Sequence, residues 1–230
     1  MKSERKQKTG AVIVAAGKSE RMGDVDKLFV LLGGKPLLFW SAQAFQKCPG
    51  IDQIVVVVSD ENETKCRHLV TGGEWSKVSD VCLGGQRRQD SVAEGLKRLD
   101  RCAWVVIHDG ARPLVTVDLI ERGLEAARET GAAVAAVPVT DTIKLAGDDR
   151  IVHQTPPRQN LWAIQTPQVF RTGMITEAYQ KTNDDVTDDA SLVEQLGYPV
   201  KLYPGSYDNI KITTPEDLAL VEVLWQKYER

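Results

Sequence analysis

Cationic side chains set along glycine-bearing turns are the chemistry this sequence offers first. The stretch Gly10–Lys27, GAVIVAAGKSERMGDVDK, passes from a short apolar segment, Ala11 to Ala15, into a turn holding Lys18, Arg21 and Lys27, with glycines at 17 and 23. Glycine lets the backbone approach an anion and offer its N–H groups, while Arg and Lys supply the compensating charge. A strand ending in such a turn suits phosphate. Two familiar phosphate motifs are nonetheless missing: GxxxxGK[ST] would need glycine where Val12 stands, and there is no G-x-G-x-x-G. On this stretch alone, a solvated βα turn with incidental charges stays open.

Further candidates follow along the chain. Gly84-Gly85-Gln86-Arg87-Arg88 precedes a helical pattern, so its N–H groups could meet a phosphate or a base edge, or its arginines could simply be solvated. Asp109 ends an apolar run, in His108-Asp109-Gly110-Ala111-Arg112-Pro113. A carboxylate there suits a divalent metal or a ribose hydroxyl, or else caps a turn. Arg112 is either a phosphate ligand or the salt-bridge partner of Asp109. Lys211, in Asn209-Ile210-Lys211-Ile212, falls by alternation on the face opposite its isoleucines, which reads as solvent. The acidic run Asp184-Asp185 to Asp188-Asp189 reads as a solvated helix start that favours the helix dipole.

Other chemistries find no support. His68, His108 and His153 share no metal-ligand spacing, and His108 is expected to orient its loop rather than react. No Ser/His/Asp or Cys/His set can be assembled, and no H-E-x-x-H occurs.

The elements that must position these residues alternate between strand and helix. Strands are expected at Ala11–Ala15, Ile51–Val58, Val78–Leu83, Ala103–Ile107 and Ala132–Val137. Helices are expected from Pro36 to about Phe45, and over Glu61–Val70, Asp90–Leu99 and Val117–Arg128. That alternation predicts an α/β fold with a mostly parallel sheet, which binds ligands in the crevice at the carboxyl ends of its strands. The turns after Ala15, Leu83 and Ile107 would open there together.

The pattern breaks at about 138–160. Thr142–Leu145 and Ile151–Gln154 flank Gly147-Asp148-Asp149-Arg150 and read as a hairpin too thin to own a core. A protruding hairpin finds burial against another subunit, so a dimerisation arm is expected; a loose surface loop is the alternative. Beyond it, Leu161–Gln165 reads as a strand ending at Thr166-Pro167-Gln168. Helices follow at about 172–181 and 188–196, the second with Thr187 as N-cap and Gly197 past its end. Val200–Tyr203 and Asn209–Thr213 read as short strands. A last helix opens with Thr214, Pro215 and Asp217 as N-cap, N1 and N3.

With 230 residues, 42% hydrophobic and 27% charged, the composition is that of an ordinary soluble globular protein, and one domain over 1–230 is expected. A net charge of −3 provides no global field toward nucleic acid or an anionic membrane, so neither is an expected partner. Cys48, Cys66, Cys82 and Cys102 are widely spaced without CxxC, which suits reduced thiols in the cytoplasm. The first apolar run is too short for a signal peptide or a membrane span.

Taken together, the motifs resemble a family. Ala15-Ala16-Gly17, Arg21-Met22-Gly23 and Lys27 are similar to the opening signature of nucleotidylyltransferases that activate sugar phosphates. Adding Gly84-Gly85 with Asp90-Ser91-Val92, the His108–Pro113 run, Thr166-Pro167-Gln168, Thr187–Ser191 and Asp208–Lys211, the chain resembles the 2-C-methyl-D-erythritol 4-phosphate cytidylyltransferases of the non-mevalonate isoprenoid pathway. The resemblance runs from residue 10 nearly to the end. It departs at Leu28, where the family often has Gln, and at Gly110, where it often has Ala.

The resemblance implies a Rossmann-like nucleotidyltransferase fold and transfer of CMP from CTP to the methylerythritol phosphate, with Mg²⁺ and release of pyrophosphate. It implies a homodimer whose arm reaches the partner's site. Arg21 and Lys27 correspond to transition-state stabilisers, and Arg158 (from the partner) and Lys211 to the pair that positions the substrate phosphate. Asp109, Arg112, Thr142, Thr166 and Asp208 match substrate-pocket positions, Asp109 also lying near the ribose and metal. Ala15, Ala16, Gly17, Gly84, Gly85 and Ser91 match the nucleotide-binding set. Ribitol 5-phosphate cytidylyltransferases share this frame but usually carry Val where this chain has Ala111. An inactive nucleotidyltransferase-like binding module is the alternative from another class.

Overall fold

The computed structural model describes residues 7–17, 26–73, 75–182 and 184–227. In chain order its first elements are β1 (Thr9–Ala15), β2 (Leu31–Leu32), β3 (Lys35–Pro36), α1 (Leu37–Lys47), β4 (Gln53–Val58) and α2 (Asp60–Gly72). Next come β5 (Val78–Leu83), α3 (Arg88–Lys97), β6 (Trp104–Asp109), α4 (Val117–Thr130) and β7 (Ala132–Pro138). The chain continues with β8 (Leu145–Ala146), β9 (Val152–Gln154), β10 (Trp162–Arg171), α5 (Thr172–Lys181), α6 (Asp189–Gln195), β11 (Lys201–Pro204) and α7 (Pro215–Trp225).

Among the described residues, seven strands form one sheet in the order β11-β7-β10-β6-β1-β4-β5. β1 is parallel to β4 and β6, β4 to β5, and β7 to β11; β10 is antiparallel to both β6 and β7. The carboxyl ends of β1, β4, β5 and β6 therefore share an edge with the amino half of β10.

The central strands are near-continuous apolar runs because both faces are covered. Ile13, Ile54, Val56 and Val106 face a core with Phe45 of α1, Cys66 of α2 and Leu119 and Ile120 of α4. The alternate residues Val12, Val55, Val57, Val105 and Ile107 meet Val92 of α3, Ile175 of α5 and Leu192 and Val193 of α6. A smaller cluster joins Leu32, Leu37, Leu114 and Ile212 to Val221 and Leu224 of α7. It ties the segment after Lys27 to the segment holding Lys211.

Several sequence expectations need correction. The strand expected to stop at Thr166-Pro167 continues to Arg171, because Val169 and Phe170 are fully buried and stay paired with both β6 and β7. The register with β7 shifts between Ile164 and Gln168, an irregularity of the kind that re-aims side chains. Asn209–Thr213 is not a strand: Ile212 donates its N–H to the Ala111 carbonyl at 2.9 Å, a loop partner rather than a sheet neighbour. The N-cap of α6 is Asp188, whose carboxylate accepts from the Ser191 N–H at 3.2 Å, not Thr187. α3 begins at Arg88, two residues early, since Asp90 accepts the Arg87 N–H at 3.1 Å.

Other local signals read correctly. Thr214, Pro215 and Asp217 open α7 with a capping box, and Gly197 takes a left-handed φ of 80° after α6. The arm is a hairpin in which β8 and β9 pair antiparallel, and residues 141–155 are all exposed. No described helix is long and apolar enough to cross a membrane.

Gly95 shows how tightly α3 lies on the sheet. A Cβ there would sit 2.4 Å from Val12 Cγ1 and 2.9 Å from Val57 Cγ2. Overpacking of this kind costs about 1–3 kcal/mol, against about 1 kcal/mol gained in helix propensity. Net of that gain, Gly95→Ala is expected to lower stability in urea unfolding by up to about 2 kcal/mol; higher stability would contradict this packing.

Candidate active site

At the carboxyl edge the site is built around Asp109, the last residue of β6, which is 7% exposed. Three cations converge on it. Arg88 Nε lies 3.0 Å from Oδ1, Lys211 Nζ 3.0 Å from Oδ2 and Arg112 Nε 3.7 Å from Oδ2. Burial would raise the carboxyl pKa, but the charges of Arg88, Lys211 and Arg112 outweigh it and hold Asp109 well below the usual carboxylate range. Arg112 is pushed down by burial, partly offset by Asp109.

The backbone under this cluster is fixed by neutral hydrogen bonds. The Arg112 carbonyl can only accept, so His108 Nε2 carries the proton and donates to it at 3.2 Å. Nδ1 then accepts from the Thr166 hydroxyl at 3.0 Å, and that same oxygen accepts the Asp109 N–H at 3.0 Å. His108 is fully buried, and burial pushes its imidazole down to about 4. Its expected part as an orienting residue matches this geometry. Asn209 closes the ring: its carbonyl accepts from Arg112 Nη1 at 2.7 Å, and its amide donates to the Thr166 carbonyl at 2.8 Å.

A cleft of about 400 Å³ opens over these groups. Arg88, Asp109, Arg112 and Lys211 line one side, with Thr187 and Ser191 from the start of α6 contributing to the rest.

The expected nucleotide residues also meet. A Cβ on Gly84 would fall 2.4 Å from Ala16 Cβ and 2.5 Å from Ser91 Oγ, so only glycine permits the turn after β5 to lie against the turn after β1. Ser91 Oγ accepts the Gly85 N–H at 3.2 Å. Ala15 ends β1 buried, and Gly17 is exposed beyond it. Lys27 opens a single helical turn pinned by Leu28, which is 2% exposed in the same core cluster as Ala15 and Ala111. Arg21 lies outside the described residues.

The single chain does not bring the whole expected set to one place. Thr142 and Arg158 stand on the exposed arm, Arg158 Nη1 donating to the Thr140 carbonyl at 2.6 Å. Asp208 takes part in a turn, its N–H on Ser206 Oγ at 3.2 Å and its carboxylate 3.5 Å from Lys227 Nζ. Lys211, read as solvent-facing, instead reaches Asp109, because the segment is no strand and alternation does not apply. The acidic run was read as solvated, yet Asp189 is 1% exposed and binds Arg88 at 2.8 Å. These two lie 101 positions apart, so no local signal pairs them. Asn209 lay inside a recognised motif, but nothing in the sequence marked it as the link between Thr166 and Arg112.

No metal cluster of three or more His, Cys, Asp or Glu occurs among the described residues. Among the carboxylates of the cation cluster, Asp109 lines the cleft while Asp189 is buried behind Arg88, so Asp109 would fit an ion held mainly by substrate phosphates.

His108 makes a pH prediction. The unfolded chain takes up its proton below pH 6.5, whereas the folded chain does not until about 4, so this stability is complete above 6.5 and is lost as pH falls toward 4. The full loss is about 3 kcal/mol. Asp109 contributes in the same sense, but only below its unfolded pKa of 3.8, outside this window. Denaturant titrations should show the parent weakening between pH 6.5 and 4, with His108→Asn less stable but shallower there, its remaining loss confined to the acid end where Glu177, held below 4.5 by Lys181 and Tyr198, begins to titrate; an equal slope in the variant would contradict the assignment.

Known proteins resemble the chain along nearly its whole length. The family model for IspD, 2-C-methyl-D-erythritol 4-phosphate cytidylyltransferase, matches residues 9–227. A 2-C-methyl-D-erythritol 4-phosphate cytidylyltransferase of Dehalococcoides mccartyi is 52% identical over 221 residues, 96% of this chain and 97% of the relative. One from Alkaliphilus oremlandii is 46% identical, covering 95% of each chain. The crystal structure of 4-diphosphocytidyl-2C-methyl-D-erythritol synthase from Anaerococcus prevotii superposes with a TM-score of 0.86 at 32% identity, over 96% of this chain and 99% of that one. That of the Thermus thermophilus cytidylyltransferase gives 0.75 at 35%, over 94% and 98%. The chain belongs to the 2-C-methyl-D-erythritol 4-phosphate cytidylyltransferase family.

Proposed function

We propose that this protein transfers CMP from CTP to 2-C-methyl-D-erythritol 4-phosphate, giving 4-diphosphocytidyl-2-C-methyl-D-erythritol and pyrophosphate. The observation that carries the reading is the gathering of three cations on the ionised Asp109 at the cleft, with Asp109, His108 and the cysteines unsuited to proton transfer. Asp109 is held too acidic to serve as a base. Both nitrogens of His108 are engaged within the protein. The four cysteines are buried, and burial raises their thiols, Cys66 to about 12.

The reaction needs neither base nor nucleophile from the protein. A phosphate monoester has its second pKa near ~6 and is a dianion at neutral pH. One of its oxygens attacks the α-phosphorus of CTP, the bond to the bridging oxygen breaks, and pyrophosphate leaves. What the protein supplies is compensation for two polyanions brought together, in a site drier than water. Lys27 and Arg21 bracket the α-phosphate, Lys211 and Arg158 position the substrate phosphate, and Asp109, Arg112, Thr142, Thr166 and Asp208 shape its pocket. The turns at 15–17 and 84–91 hold the nucleotide. Mg²⁺ would be held by the phosphates of CTP with Asp109 as its protein ligand, and supplies further neutralisation of phosphate charge when bound.

The arm supports a homodimer. Ile143, Leu145, Ile151 and Val152 are 37–62% exposed on a hairpin too thin to bury them itself. A second copy would cover them and receive Arg158 and Thr142 in its site. The free buried cysteines suit the cytoplasm.

Pyrophosphate release should be measured with each of four nucleotides and Mg²⁺, against methylerythritol phosphate and ribitol phosphate. Release with CTP and methylerythritol phosphate is expected; release with ribitol phosphate only, or none, would overturn the reading. Lys27→Ala should lose about 10²–10³ in turnover. Mixed with an Arg158→Ala chain under proven subunit exchange, it should regain activity; no recovery would count against shared sites.

A further inference from the structure

Asp189 is a buried carboxylate that neither the fold nor the reaction as described requires. It is the first residue of α6, but Asp188 already caps that helix. An acidic residue complements a helix dipole from an exposed position, without burial. Asp189 is instead 1% exposed and spends both oxygens on two other elements. Oδ1 accepts from the Tyr179 hydroxyl of α5 at 2.6 Å, and Oδ2 accepts from Arg88 Nη1 at 2.8 Å. Arg88 then donates through Nε to Asp109 Oδ1 at 3.0 Å. The chain Tyr179–Asp189–Arg88–Asp109 crosses one helical layer and ends at the cation cluster.

We propose that Asp189 is a positioning residue of the cytidylyl-transfer site: it neutralises Arg88 and fixes its guanidinium, so that Arg88 occupies one oxygen of Asp109 and leaves the other to Lys211, Arg112 and the cleft. This rests on the function proposed above.

The planar guanidinium fork makes the arrangement specific. Held at Nη1 by Asp189 and at Nε by Asp109, it cannot rotate without breaking a charged hydrogen bond. Arg88 is 25% exposed at its side chain and lines the cleft. Without Asp189 it would be a loosely held cation in a site that binds a triphosphate and releases pyrophosphate, free to pair with phosphate where no chemistry occurs. Burial raises the Tyr179 hydroxyl pKa, and the charge of Asp189 raises it further, so Tyr179 remains a donor at all working pH.

Asp189→Asn tests this in the full chain. The amide keeps the shape, with its oxygen on Arg88 and its NH₂ on the Tyr179 oxygen, but removes the charge. Turnover is expected to fall at least about tenfold, while pyrophosphate, measured by calorimetric binding without turnover, binds about fivefold tighter or more. In the double variant Arg88→Gln, Asp189→Asn the extra cation is gone, and pyrophosphate affinity should return close to the parent value. A merely structural role would lower turnover and leave pyrophosphate binding unchanged, and that result would overturn the proposal, as would unchanged values of both. If Asp189→Asn does not fold, Arg88→Lys decides: it keeps the charge and loses the fork. A turnover loss of at least about tenfold with native circular dichroism supports the proposal, and parent-like turnover overturns it. A parent protein that releases no pyrophosphate from CTP fails at the proposed function, and so is distinguishable from failure here.

Discussion

The negative charge of Asp109 is the constraint on which the site depends. A carboxylate at that depth is costly alone, and removing one partner of a buried ion pair typically costs about 3–5 kcal/mol. Here the cost is met by cations from three separate segments: Arg88 at the start of α3, Arg112 in the turn after β6, and Lys211 in the segment before α7. Each is drawn to the same edge by the same charge. The sheet delivers Asp109, and Asp109 gathers the rest.

That grouping also suits the reaction. Three cations with the carboxylates of Asp109 and Asp189 still leave a net positive cluster, and each cation is oriented before substrate arrives. Preorganised charge of this kind acts on developing negative charge without reorganising at the moment of reaction. The neutral bonds through His108, Thr166 and Asn209 set the backbone on which the charges sit, and the tautomer of His108 is fixed by a carbonyl that can only accept.

Legibility in the sequence followed the range of the interactions. The strand Val78–Leu83 and the Thr214-Pro215-Asp217 start of α7 are set by local signals, and both were readable to the residue. The hairpin around Gly147–Arg150 was readable for the same reason. Where tertiary partners decide, the sequence misled. Alternation placed Lys211 in solvent because it presumed a strand that the 209–213 segment does not form. Thr166-Pro167 looked like a terminus, although burial of Val169 and Phe170 carries β10 onward. Asp189 looked like an ordinary dipole-favouring acid, since its partner Arg88 lies far away in the chain. Asp109 and Arg112 were nonetheless legible from their place where an apolar run meets a turn, and Thr166 and Lys211 from the family resemblance. Gly10–Lys27 fails both familiar phosphate motifs, and no single spacing in it marks a nucleotide site.

The most direct measurement follows the carboxyl carbon of Asp109 by NMR as pH is lowered from 7 to about 3.5, with exposed glutamates titrating near their usual ~4.3 as internal controls. The Asp109 signal is expected to stay at its ionised position throughout that range. A titration midpoint for Asp109 inside it would contradict the claim that three cations hold this carboxylate charged and, with it, the basis of the site.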